Sequence, residues 1–468
     1  MNQVSARSLD RLDSERIHDA SLALLSDPGV KVEHDSVRAL LIQQGAREGL
    51  EADTVRLPAP MVQEALRLCP REVILCDRRG ACKTLRPEGD STIWSTPGMY
   101  VLEANRRRPF TSLDMARFSR LLENLETVDV IFGLALHDVP PPARDVIGLV
   151  TIAENSSKHI RPLCFSPEGA RTMAEMRHVI GDYPWFSVGF TAHGPLRWTN
   201  LAIEIFAKTA GQRIPVSVNG EPMAGVTGPV TIAGAAAVGN AEILAGIVIN
   251  QILEPGRPCI YNLGLAHIMD MRTAIAVTGA PENALFARLS AAMGRFYDIP
   301  SASWVSTEAM TCDAQAALEK MFGFTTHMFE GVSAIWGTGQ IESELTVSPA
   351  MAVIDDEMVR YVRRYVAGAA VNDETLALGV ARDVGIGGSY LDHVHTLQRF
   401  RSEFYSPRIL CREKRERWEE SGARDLAARA DDVARDLIAR EVETGMSEDQ
   451  TRALKQIASR FLARISES

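Results

Sequence analysis

The sequence predicts an α/β protein built on a (β/α)8 TIM barrel, and three observations carry that expectation. Eight short runs rich in apolar, β-branched or aromatic residues recur along the chain, each followed by a segment long enough for a helix. The span that holds them, Thr92 to about Ala370, approximates the ~250 residues of such a barrel. The first strand-to-helix turn reads Ser95-Thr96-Pro97-Gly98-Met99, whereas the competing doubly wound open sheet carries a glycine-rich nucleotide turn there.

In chain order, residues 1–90 form an N-terminal helical and β extension, 91–375 the barrel, and 376–468 a capping loop and helices. Ser14 to Ser26 has helical apolar spacing and stops at Asp27-Pro28-Gly29; Asp35 to Gln44 and Pro58 to Leu68 give two more helices. REVILCD reads as β structure, and MYVLEANRRRPF as a hairpin arm. The eight strand candidates are Thr92–Ser95, Val128–Leu136, Arg161–Phe165, Trp185–Phe190, Ile214–Asn219, Pro258–Leu263, Pro300–Val305 and Ser333–Gly337. Helices are expected at Thr111–Leu125, Leu196–Gly211, Thr231–Leu253 and Asp313–Phe329. The tail from Arg424 to Ile465 is amphipathic and suits a surface helix pair or an oligomer contact.

Composition narrows the function. The 468 residues are 46% hydrophobic and 24% charged, with a formal charge of -10, so there is no basic footprint for nucleic acid or anionic lipid. Seven scattered cysteines without a CxxC pair suggest neither a disulfide framework nor a zinc ribbon, and fit a reducing cytoplasm. The opening residues lack the apolar segment of a secretory leader, and no uninterrupted apolar run is long enough to cross a bilayer. The protein is expected in the cytoplasm, without a membrane or nucleic-acid partner.

A barrel carries its working residues at the C-terminal ends of its strands, which nominates His137, Asp138, His193, Asn219, Glu221, Asn262, Trp304, Gln340 and Glu342. Each is equally open to a purely local hydrogen-bonding role. Glu221 opens a glycine-rich loop, Asn219 to Gly234, suited either to close backbone approach to a ligand or to a tight turn before a helix. Trp94, Trp304 and Trp336 all fall in strand candidates, with Tyr100 and Phe165 nearby. Indole faces attract quaternary ammonium groups by about 0.5 to 2 kcal/mol each, although a packed barrel wall uses the same residues. His393 and His395 alternate on one segment and so suit either metal ligation or a closing loop at the mouth.

The segment GIGGSYLDHVHTLQRFRSEF, Gly385 to Phe404, followed by WEESGARD, resembles the C-terminal signature of the trimethylamine methyltransferase family. IHDASLALLSDPGV near the N-terminus, the hairpin and first helix, and the central GVTGPVTIAGAAAVGNAEILAGIVINQILEPGRPCIY are similar to the same family, so the resemblance spans most of the chain. It implies a barrel that moves a methyl group from an amine to the cobalt of a corrinoid, which is carried by a separate corrinoid-binding protein and not bound tightly by the barrel. The sequence contains standard residues only, which points to the branch without pyrrolysine that acts on quaternary amines such as glycine betaine, proline betaine or carnitine. The resemblance assigns catalytic positions to Glu221, Gln340, His393 and His395, substrate contacts to Trp94, Tyr100, Asn262, Trp304 and Trp336, no metal, and a homo-oligomer. Two other classes stay open at this point: a metal-dependent barrel hydrolase or lyase using His393 and His395, and a non-catalytic amine-binding protein.

Overall fold

The computed structural model describes residues 11–104 and 106–467. Residues 1–10, where the absence of a leader was read, lie outside them.

Three helices, α1 (Arg11–Ser26), α2 (Asp35–Gln43) and α3 (Ala59–Leu68), precede the barrel. The eight barrel strands are Thr92–Ser95, Val128–Phe132, His159–Arg161, Val188–Thr191, Val216–Asn219, Cys259–Gly264, Ser301–Trp304 and Ala334–Thr338. They run parallel in the order 3-2-1-8-7-6-5-4, and a bridge between Ile160 and Phe186 joins the third strand to the segment leading into the fourth, closing the barrel. Every sequence candidate therefore meets a strand, with two shifted: the fourth is Val188–Thr191 where Trp185–Phe190 was expected, and the third ends at Arg161 where Arg161–Phe165 was expected. Pro162 has no N–H to give the ladder, so the chain leaves the sheet there.

The outer helices are α4 (Ser112–Asn124), α5 (Arg144–Ala153), α6 (Pro167–Ile180), α7 (Asn200–Lys208), α8 (Ile232–Leu253), α9 (Pro281–Tyr297), α10 (Ala314–Phe329) and α11 (Pro349–Val366). Local chemistry sets where they start. Thr111 and Asp114 form a reciprocal capping box at α4, Asp313 accepts from two amides of α10, and Ser348 caps α11 with Pro349 in its first turn. Helix α8 is long enough and apolar enough in mean hydropathy to cross a membrane, although Asn240, Glu242 and Asn250 interrupt its apolar run. Here it is a core helix, with every residue from Ala235 to Gln251 buried. Its polar Asn240 is satisfied by Ser21, Tyr261 and Tyr297 at 2.8 to 2.9 Å.

Two apolar cores result. One lies between the barrel and its helices; the other fills the barrel and contains Trp94, Val130, Phe132, Ile260, Trp304 and Trp336. A hairpin, Val73–Cys76 with Cys82–Leu85, contributes Val73, Leu75 and Leu85 to the inner core and plugs the N-terminal end. Cys76 and Cys82 face each other in this hairpin with Cα atoms 4.0 Å apart and are joined as a disulfide. One bridge is not a disulfide framework, and the other five cysteines are free; antiparallel register brings together two whose sequence spacing matched no motif.

After α11 come α12 (Asp373–Leu376), α13 (Leu378–Val384), α14 (Val394–Glu403), α15 (Arg415–Glu420), α16 (Leu426–Ile438) and α17 (Glu448–Glu467). Helix α16 packs on α4 and α11, and α17 on α5 and α6, burying Ala430, Leu437, Leu454 and Phe461. The tail is thus the surface helix pair expected, its apolar stripe spent on its own barrel.

Candidate active site

Two small sheets build the C-terminal mouth. The loops after the fifth and sixth strands pair through Met223–Ala224 and His267–Asp270. The loop after the eighth strand pairs through Thr346–Val347 with Tyr100–Val101 of the arm, which is the expected hairpin. The Gly337–Gln340 turn is locked from beneath: Lys320 Nζ donates to Gly337 O (2.9 Å), Gln340 O (3.0 Å) and Asp355 Oδ2 (2.6 Å), and Gly339 N donates to the same carboxylate oxygen (2.7 Å). Lys320 and Asp355 are fully buried.

Most carboxylates at this end are occupied by the fold. Glu308 accepts from Thr278 Oγ1 (2.8 Å) and Gly279 N (2.9 Å), and Glu342 pairs with Arg107 at 2.8 Å. Three others are not. Glu221 is pushed up to about 7 by burial, and Glu242 to about 8 by burial first and then by repulsion from Glu221, against a hydrogen bond from Leu196 N (2.8 Å). Burial, then Glu221, raises Glu344 well above the carboxylate range. Among the described residues none of the three has an ion-pair partner, and Glu242 Oε2 is buried without a hydrogen bond. Glu221 and Glu344 keep some accessible surface, whereas Glu242 is fully buried.

The barrel interior below is divided by chemistry. On one side Trp94 and Trp336 stack at 5.8 Å, Phe132 meets Trp336 edge-on at 4.8 Å, and Trp304 aligns in register with Trp336. On the other, the upper residues of the fourth to sixth strands make a polar row: Asn262 Nδ2 donates to Asn219 Oδ1 (3.1 Å), and Asn219 Nδ2 to Thr191 Oγ1 (3.3 Å). Between the two, buried Arg161 lies 5.4 Å from the Phe132 ring centroid and donates to Gly189 O (2.8 Å) and to Pro162 O, with its Nε unpartnered. Trp336 Nε1 is likewise buried without an acceptor.

The sequence candidates fall into distinct places. Glu221 and Asn262 line the upper interior. Trp94, Trp304 and Trp336 are all inward but deep, each at most 4% exposed; they form the barrel's wall, and Trp94 donates to Thr92 Oγ1 (2.9 Å). Trp304 Nε1 is pinned on Asn283 (2.8 Å) once that amide is oriented to satisfy both of its ends. Gln340, oriented the same way, donates to Val305 O (3.1 Å) and accepts from Glu344 N (2.9 Å) and Ser306 Oγ (3.1 Å), so it fixes the loop carrying Glu344. The face of Tyr100 is already covered by the Arg107 guanidinium, 3.6 Å from its centroid.

His393 and His395 are not at the mouth, which corrects the expectation of a closing loop there. The segment leaves from the end of α11, where Val366 lines a cleft of about 730 Å³ with Arg86, Asp90 and Thr92 at the N-terminal end of the first strand. It returns where Arg364 donates to Glu403 O (2.9 Å), so both of its ends sit at the opposite face. His393 Nδ1 caps α14 by accepting from His395 N (3.0 Å), and no cluster of three or more His, Cys, Asp or Glu able to hold a metal occurs among the described residues. Sequence reading missed Glu242, Glu344 and Arg161. Glu242 had a signal, as the lone acidic side chain in a 22-residue apolar helix; Glu344, in a loop, had none.

The fold is a (β/α)8 barrel, a class in which working residues sit at the C-terminal ends of the strands. Monomethylamine methyltransferase from Methanosarcina barkeri superposes with a TM-score of 0.53 at 14% identity, over 91% of this chain and 86% of that one, a likeness of fold. By sequence the chain belongs to the trimethylamine methyltransferase (MTTB) family, which it matches over residues 3–465. It is 28% identical to trimethylamine methyltransferase MttB of Desulfitobacterium hafniense (strain DSM 10664 / DCB-2), covering 90% of this chain and 87% of that protein. It is 27% identical to the glycine betaine methyltransferase of Desulfitobacterium hafniense (strain Y51), covering 86% of each.

Proposed function

We propose that this methyltransferase takes a methyl group from a small quaternary amine of the betaine class, such as glycine betaine, proline betaine or carnitine, and delivers it to a corrinoid carried by a separate protein. The observation that carries the reading is the set Glu221, Glu242 and Glu344, three buried carboxyls at the mouth with no cation to balance them. A fixed positive charge on the substrate stabilises their ionised forms, whereas a neutral ligand does not. The indole wall suits the methyl groups of that cation. Arg161 Nε and Trp336 Nε1, both buried donors without acceptors, suit a carboxylate at the other end of a zwitterion. The relative named a glycine betaine methyltransferase supports the same substrate class.

The chemistry asks little of the protein beyond placement. When the N–CH3 bond of a quaternary ammonium breaks, its electron pair stays on nitrogen and a neutral tertiary amine leaves, so no proton has to move. A reduced corrinoid presented at the mouth supplies the nucleophile. The barrel holds the amine in line and keeps water away from it. An exposed apolar rim that includes Met99, Val226, Val230, Met271, Ile275 and Met310 fits the docking of such a partner.

The test is methyl transfer from glycine betaine, proline betaine or carnitine to a reduced corrinoid protein, followed by absorbance. No transfer from any quaternary amine, with transfer from trimethylamine, would move the substrate class. Binding of a betaine by calorimetry with no transfer at all would make the protein a non-catalytic binder.

A further inference from the structure

We propose that Cys69 and Cys259 form an oxidisable dithiol that a hydroperoxide converts to a disulfide, stapling α3 to the sixth barrel strand. Cys69 is the C-terminal cap of α3, and Cys259 is the first residue of the strand Cys259–Gly264. Both are free thiols, and both contact one side-chain amide, that of Gln251 on α8. Gly256 N donates to Gln251 Oε1 (2.8 Å) and Gln251 Nε2 donates to Arg257 O (2.9 Å), which fixes the end of the amide that faces the sulfurs. With one N–H spent on Arg257 O, the other is shared between Cys69 Sγ (3.3 Å) and Cys259 Sγ (3.6 Å). Two sulfurs that flank one hydrogen are neighbours, and the thiols also hydrogen-bond each other.

Access and ionisation are divided between the two. Cys69 is half-buried and borders a cavity of about 390 Å³ with His18, Gln63, Arg67 and Arg71, while Cys259 is fully buried. The hydrogen bond from Cys69 holds Cys259 below the usual thiol value against burial, helped by the Arg257 guanidinium and Gln251 Nε2. The remaining proton passes along the sulfur–sulfur hydrogen bond, so negative charge is available at Cys69, the sulfur that a reagent reaches. Attack of the Cys69 thiolate on a hydroperoxide forms an S–O bond and breaks the O–O bond, and the departing hydroxide or alkoxide takes the Cys259 proton. The Cys259 thiolate then attacks Cys69 Sγ, the S–S bond forms, the S–O bond breaks, and hydroxide leaves to be protonated by solvent. Two thiols lose two electrons, and the peroxide is reduced to water and an alcohol or a second water. The bond joins segments far apart in the chain, so it strongly restricts the unfolded state. Pro70, Arg71 and Glu72 lead from Cys69 into the hairpin that plugs the barrel, so the staple anchors that plug at its root.

The full chain, reduced, desalted and exposed to hydrogen peroxide while folded, then alkylated in denaturant and digested for mass spectrometry, tests this. Peptides joined through Cys69 and Cys259 and lighter by two hydrogens are expected, released by dithiothreitol, with a higher unfolding temperature in the oxidised form. Cys259→Ser should leave Cys69 as a sulfenic acid that dimedone traps. Cys69→Ser should slow oxidation of Cys259 by more than about tenfold, because the buried sulfur is then reached only when the fold opens. Cys76→Ser with Cys82→Ser should still form the bridge, which separates direct oxidation from exchange with the hairpin. Both thiols still alkylated after peroxide, Cys69 joined to a different cysteine, or an oxidised form no more stable than the reduced one would each overturn the proposal.

Discussion

Glu242 makes stability itself a reporter of the uncompensated charge at the mouth. Its carboxyl is fully buried and pushed up to about 8, from a model-peptide value near 4.5 that the unfolded chain regains. An acid raised on folding binds its proton more tightly in the native state, so the stability it contributes is complete below the unfolded value and is lost as pH rises through the folded one. With these two values, the step from pH 7 to pH 8 removes about 1 kcal/mol through Glu242 alone. Glu221, at about 7, and Glu344 act in the same direction. The buried histidines act oppositely but at lower pH: burial holds His159 at about 3 and His327 at about 4, so their stabilising effect has been gained by about pH 7. Lys158, lowered to about 8 by burial, acts oppositely within this window and offsets roughly a third of the Glu242 loss. Urea unfolding between pH 7 and 8 should therefore show falling stability in the ligand-free protein. Glu242→Gln, which keeps an oxygen for Leu196 N, should flatten the slope by about that 1 kcal/mol. A native protein equally stable at both values, or a variant with an unchanged slope, would refute the reasoning.

Other expectations rest on the same geometry. Tetramethylammonium and glycine betaine should bind more tightly as pH rises from 6 to 8, with proton release seen in calorimetry across buffers of different ionisation heat; pH-independent affinity would argue against the three carboxylates. Arg161→Lys should weaken glycine betaine far more than tetramethylammonium, which lacks the carboxylate, and equal losses would make Arg161 a packing residue. Lys320→Met leaves Asp355 buried and unpaired, at a cost of about 3–5 kcal/mol in chemical denaturation. Gly337→Ala places a Cβ 2.0 Å from Val305 O at a φ of +126°, and should cost about 3 kcal/mol or more by the same measurement.

The barrel was legible because most strand residues are buried and the strands read as short runs rich in apolar, β-branched or aromatic side chains; Pro162 shows how one residue without an N–H shifts a boundary. The three tryptophans were recognisable as strand residues, but their depth depends on strand register, including the irregularities between Ile335 and Thr338 and between Ile93 and Trp94. Gln340 was nominated for catalysis because it lies just past the last strand, yet its amide is consumed by Val305, Ser306 and Glu344, a fact of loop conformation. The histidine pair was misplaced for a topological reason: α11 runs the length of the barrel after the mouth, so the chain beyond it emerges at the far end.

That far end has a kinetic consequence. The hairpin of Val73–Cys76 and Cys82–Leu85 fills the N-terminal end of the barrel with Val73, Leu75 and Leu85, so nothing enters the barrel from that end. In the proposed reaction the amine and the corrinoid-bearing partner then share one doorway. The amine has to be seated before the partner arrives, and the demethylated product waits behind it, so turnover is ordered and excess partner slows it.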